Sequence, residues 1–69
     1  MKDLGARVKR KREQYDLTQE ALAGRVGCSR IMIVYIESGE KIPSLALTRK
    51  LAKALNYSLD ELVNGEVRV

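Results

Sequence analysis

The chain has 69 residues, room for one domain, with a single cysteine, no histidine and a net charge of +4. Cys28 alone excludes an intramolecular disulfide, and the lack of histidine excludes a mixed zinc site. No apolar run approaches the roughly 20 residues of a membrane span, and the N-terminus lacks a signal peptide's apolar stretch.

A domain this small buries only about 60% of the surface its unfolded chain exposes. With neither disulfide nor metal, oligomerisation is the expected source of extra stability, in a reducing cytoplasm and away from membranes. No cofactor set is present. Five short helices are expected in chain order. The first spans Leu4–Gln14, with Leu4, Val8 and Tyr15 at helical spacing. Lys2, Arg7, Lys9, Arg10, Lys11 and Arg12 crowd into the first dozen residues against one acid, Asp3. That density suits a phosphate-binding face and is also compatible with an ordinary solvated one.

Thr18 is a good N-cap for a second helix, Gln19–Arg25, whose Ala21, Leu22 and Val26 are apolar. Gly27 and Cys28 make a tight turn, and Ser29 caps a third helix from Arg30 to about Glu37. Gly39 suits a left-handed terminus after it. Pro43 and Ser44 open a fourth helix, Leu45–Leu55, with Leu45, Thr48, Leu51, Ala52 and Leu55 inward. Ser58 with Glu61 forms a capping box for a last helix through Val63. Val67, Arg68 and Val69 alternate like a strand, within a C-terminal tail of residues 64–69. The expected fold is all-α.

The stretch Leu17–Gly39 resembles the helix-turn-helix of the Xre family, which includes the lambdoid phage repressors and Cro. Thr18-Gln19 opens the first motif helix, Leu22-Ala23 packs it, Gly27 lies in the turn and Ser29 caps the recognition helix. Ile33 and Ile36 anchor that helix, and Glu37 and Gly39 close it. The resemblance continues through Pro43-Ser44-Leu45, Lys50 to Leu55 and Ser58 to Leu62, about residues 4 to 63. It implies a five-helix, lambda-repressor-like domain that binds double-stranded DNA, with its motif at about 18–37. Elementary geometry agrees. A small Ala23 permits close helix approach, Gly27 takes positive φ without cost, and a projecting helix end fits a major groove about 12 Å wide.

The resemblance also assigns roles. Residues at the positions of Gln19, Arg30, Ile31 and Tyr35 face the bases, although the Tyr35 ring is expected to pack against the backbone sugar rather than read a base. The phosphate candidates are Lys9, Arg10, Thr18, Ser29 and Lys41, with an ordinary solvated face as the alternative for Lys9, Arg10 and Lys41. Arg30 can fork onto guanine or clamp a phosphate. Gln19 can bond a phosphate or an adenine, or support Arg30. Arg12 and Glu37 are paired as a partly buried ion pair that orients the recognition helix. Three departures from the family pattern matter. Ile31, Met32 and Val34 replace usually polar residues, and suit either thymine methyls or an apolar protein partner. Ser38 and Glu40 weaken the phosphate contact after the recognition helix, a role left to Lys41. Asp16 stands where glycine is usual, in a position that often needs positive φ.

The leading function is a sequence-specific transcriptional regulator, a homodimeric repressor or autoregulator reading an inverted repeat. Its dimer surface is expected at Tyr57, Val63, Val67 and Val69. The alternative is a protein-interaction module, an antitoxin or regulatory subunit using the Ile31-Met32-Val34 patch. With no histidine, metal set or phosphate loop, no enzyme is expected.

Overall fold

The computed structural model describes residues 3–65, so Val67 and Val69 and the strand suggested there lie outside the described residues. Five helices follow one another: α1 (Leu4–Gln14), α2 (Gln19–Val26), α3 (Arg30–Ser38), α4 (Leu45–Ala54) and α5 (Leu59–Asn64). No strand occurs among the described residues, and none of the helices there is long and apolar enough to cross a membrane.

Local chemistry sets the boundaries. The side-chain oxygens of Thr18, Ser29, Ser44 and Ser58 each accept the N–H three residues on, at 3.0–3.1 Å. Each thereby satisfies one of the donors left over at a helix start. Glu61 reaches back to the Ser58 N–H at 2.9 Å and completes the expected capping box. Gly27 and Gly39 end α2 and α3 at φ of 75° and 85°, where a side chain would be strained.

Asp16 takes the expected positive φ of 56°, and Asn56 adopts nearly the same conformation at 59°. In both loops the next N–H reaches back to a helix carbonyl, Leu17 to Arg12 and Tyr57 to Ala52. A capping hydroxyl follows immediately. One turn design therefore joins α1 to α2 and α4 to α5.

The core comprises Leu4, Val8, Leu22, Ala23, Val26, Ile33, Ile36, Leu51, Ala52, Leu55 and Leu62. α3 lies against α1 and α2, while α4 and α5 close the other side. Two expectations fail here. Tyr15 is 44% exposed and lies beyond α1; Arg12, one turn after Val8, takes the buried place on the stripe instead. Leu45 is 60% exposed, because it sits in the first turn of α4 and the neighbouring Pro43 is the residue buried at that end. Thr48, Leu51, Ala52 and Leu55 do point inward.

Candidate nucleic-acid interface

The junction of α1, α2 and α3 is held by one polar cluster. The Arg12 Nε and Nη2 donate to the Glu37 Oε2 and Oε1 at 2.7 and 3.1 Å, a forked pairing. The third guanidinium nitrogen donates to the Leu17 carbonyl at 2.7 Å. Gln19 Nε2 donates to Glu37 Oε1 at 3.1 Å. The Arg12 and Glu37 side chains are 10% and 4% exposed, so two charges are nearly removed from water. The hydrogen bond it donates to Glu37 holds the Arg12 guanidinium above its ordinary pKa, against the opposing effect of burial, with the Glu37 and Glu13 charges adding to it. Desolvation offsets much of the attraction in such a pair, but losing one partner leaves the other charge buried alone.

This cluster joins the end of α1, the α1–α2 loop, the start of α2 and the end of α3. A second contact lies beside it. A methyl built on Gly5 would run into the backbone carbonyl oxygens of Ile36 and Glu37, so glycine lets α1 touch the last turn of α3. Nothing in helical periodicity marks Gly5, because the atoms it makes room for come from a distant part of the chain.

At the other end of α3, the Gly27 and Cys28 N–H groups both bond the Ala23 carbonyl, at 2.9 and 3.0 Å. That closes the turn over the buried Ala23. The Cys28 thiol donates weakly to the Ser29 carbonyl at 3.5 Å, and burial pushes its pKa up, which disfavours the reactive thiolate.

α3 is thus seated from both ends, with Ile33 and Ile36 buried and Arg30 exposed at its start. Ile31 is 48% exposed, while Val34 and Tyr35 are half-buried. Met32 packs on the core, so the three apolar departures do not form one surface patch. Lys41 Nζ lies 5.5 Å from the Tyr35 ring centre, which brings these two together as a cation–π pair. Thr18 and Ser29 are exposed at the starts of α2 and α3. Lys9 and Arg10 are both exposed, but consecutive helix residues point about 100° apart, and Arg10 lines a groove with Arg7, Lys11, Gln14, Tyr57 and Glu61 on the α5 side.

Residues 8–62 match the helix-turn-helix family. The chain belongs to that family, in its Xre/Cro-like branch. An uncharacterized HTH-type transcriptional regulator of Archaeoglobus fulgidus is 41% identical over 56 residues, spanning 81% of this chain and 79% of its own. The ImmF control region 10 kDa protein of Bacillus phage phi105 is 35% identical over 68 residues, 99% of this chain and 76% of its own. The crystal structure of the P22 c2 repressor in complex with a synthetic operator superposes with a TM-score of 0.88 at 33% identity, covering 91% of this chain and 96% of that one.

In this helix-turn-helix protein the charge is unevenly spread. Residues 18–41, the motif and its exit, carry three cations and three acids. α1 carries five cations against one acid, and α4 has Arg49, Lys50 and Lys53 against none. All three α4 cations are exposed.

Tyr57 and Val63, assigned to a dimer surface from the sequence, are both half-buried; Tyr57 packs on the core and lies 5.2 Å beneath Lys11 Nζ. Among the described residues the most exposed large apolar side chains are Ile42 at 71% and Leu45 at 60%, in the loop before α4 and its first residue. Sequence patterning missed both, since it placed Leu45 inward and gave Ile42 no role.

Proposed function

We propose that this chain is a sequence-specific, double-stranded-DNA-binding transcriptional regulator that represses as a homodimer. The observation that carries this reading is the seating of α3, held at both ends while Arg30, Ile31 and the outer edge of Tyr35 project from the body. Its nine residues make a rod about 13 Å long, and with side chains an α-helix is about 10–12 Å across, the width of a major groove. The operator complex of the P22 c2 repressor and the regulator names of the relatives support it. The family is one of regulators rather than enzymes. Arg30 and Gln19 read base edges, Gln19 through the amide hydrogen and carbonyl oxygen that Glu37 does not engage. Lys9, Arg10, Lys41 and the N–H groups at the capped starts of α2 and α3 hold phosphates.

One motif contacts too few base pairs for tight specific binding. Two copies related by a two-fold axis read an inverted repeat with centres about 34 Å apart. The dimer surface is assigned to Tyr57 and Val63, and the exposure of Ile42 and Leu45 favours a second candidate patch.

Selection from random duplexes, followed by gel shift in competitor DNA, tests the function. A single enriched inverted repeat is expected, and retention of unselected sequences alone would contradict it. Sedimentation of Val63→Asp beside Ile42→Asp separates the two dimer surfaces. Only the variant at the true interface becomes monomeric.

A further inference from the structure

We propose that the groove between α1 and α5 is a binding site for a small phosphomonoester, apart from the surface that α3 presents. The proposal goes beyond the DNA-binding reading and does not depend on it.

Arg7, Arg10, Lys11 and Gln14 recur at helical spacing and line one wall of a groove of about 340 Å³, with Tyr57 and Glu61 opposite. Their direction sets them apart. At about 100° per residue, all four point at least about 100° around α1 from Gly5 and Arg12, which face α3. A duplex laid along α3 meets a different flank of α1.

The wall is already ordered. The Arg7 guanidinium lies against the Gly65 backbone, where an added methyl would come within 2.9 Å of its Nη2. The Lys11 ammonium lies 5.2 Å from the Tyr57 ring centre and 5.8 Å from that of Tyr15. Both cations are half-buried. Arg10 and Gln14 are exposed on the same wall, and Arg10 has no acidic partner among the described residues. Cations held in place before a ligand arrives lose little freedom when it binds.

Charge points to the class of ligand. Three cations face one carboxylate, Glu61, whose Oε1 accepts the Ser58 N–H at 2.9 Å. The groove keeps an excess of two positive charges, and like charges at i, i+3 and i, i+4 repel. A solvated, salt-bridged helix face alternates its signs instead. A phosphomonoester brings about −1.5 to −2 charges and three acceptor oxygens, enough for an arginine fork and an ammonium together. A carboxylate brings one charge and two oxygens. The volume is at the lower end of small-molecule sites, about 300–1,000 Å³, and leaves room for a sugar-sized group beside Gln14 and Tyr57. An acidic protein needs about 800 Å² of surface, far more than one short groove offers.

The test titrates ribose 5-phosphate, with acetate as the control, into the full chain at constant ionic strength while backbone amide chemical shifts are followed. Ribose 5-phosphate should bind at least about tenfold more tightly than acetate, with shifts centred on residues 7–14 and 57–61. Arg10→Ala, at an exposed position, should weaken it about tenfold, the loss expected for one charge-assisted hydrogen bond. Arg49→Ala removes the same charge from an exposed position on α4 and should leave the affinity unchanged. Gln14→Glu should abolish binding by placing a second carboxylate in the groove. Equal weakening by Arg10→Ala and Arg49→Ala, or shifts that spread over α4 as well, would mean diffuse attraction and overturn the site. Acetate binding as tightly as ribose 5-phosphate would overturn the ligand class. None of these outcomes depends on whether the duplex selection above succeeds.

Discussion

The motif and the frame that carries it differ in charge, and in the proposed function they divide the work of binding. Residues 18–41 balance three cations with three acids, and the middle of the recognition helix is aliphatic. α1 and α4 together hold eight cations against one acid, seven of them outside the buried Arg12–Glu37 pair. Attraction to a polyanion is long-ranged and indifferent to sequence, and the frame can supply it from any exposed position. Discrimination needs atoms held in place against base edges; in the proposed function the motif supplies them, braced on α1 by the Arg12–Glu37–Gln19 cluster and the Gly5 contact. A domain built this way can change its site by altering α3 without losing its attraction for DNA.

The largest effect should come from breaking the hinge between the two regions. Arg12→Ala leaves Glu37 charged and almost dry, and should lower stability by about 3–5 kcal/mol, enough to bring so small a domain close to unfolding. Glu37→Ala should act similarly. The double variant Arg12→Ala, Glu37→Ala should lose much less than the sum, because the residues share one interaction. Thermal melts of the three variants decide it, and strictly additive losses would mean the pair is not coupled.

Two glycines give a matched contrast. Gly5→Ala forces a methyl into the Ile36 carbonyl and should cost about 1–3 kcal/mol, while also weakening DNA binding by shifting α3. Gly24 lies inside α2 with nothing within 4 Å of an added methyl, so Gly24→Ala should stabilise by about 0.5–1 kcal/mol. Opposite shifts in melting temperature are expected. Equal shifts would place the α1–α3 contact in doubt.

Arg30→Ala belongs to the reading side. It should cost about 1–3 kcal/mol on the selected site and relax preference at one base pair. Equal weakening on selected and random duplexes would make Arg30 a phosphate clamp.

The smallest effect concerns α5. The Ser58 N–H, and after it the Ser58 hydroxyl, hold the Glu61 carboxyl below the usual carboxylate range, with Lys11 adding to the effect. A depressed folded pKa means that this contribution is present at neutral pH and is lost as pH falls through the carboxylate range. Melting temperature should fall less steeply between pH 7 and about pH 3 in Glu61→Gln than in the parent, by a small margin because the group is exposed. A steeper fall would reverse the sign.

Which parts were readable follows from how far their causes lie along the chain. The caps at Thr18, Ser29 and Ser58, and the left-handed Asp16, Gly27 and Gly39, depend on neighbours three or four residues away. The resemblance paired Arg12 with Glu37, which the structure joins by a forked bond. The bond from Gln19 to the same carboxylate links residues 18 apart in sequence and left no local sign. Gly5 was silent for the same reason. Tyr15 and Leu45 were misplaced because periodicity extends a stripe to the helix ends without knowing whether another element covers them. The apolar run Ile31-Met32-Val34 looked like one patch until packing assigned Met32 to the core.

The division between frame and motif is tested most directly by salt. Affinity for the selected duplex and for a random one should be measured from 50 to 200 mM salt, in the parent and in Lys9→Ala. Both duplexes should show a steep, nearly parallel linear fall of log K against log salt, and Lys9→Ala should flatten both slopes by about 0.9, one phosphate's share. Its preference for the selected site should be unchanged. A flat salt response, or a Lys9→Ala variant that loses preference while keeping the parent's slope, would contradict the separation of attraction from reading.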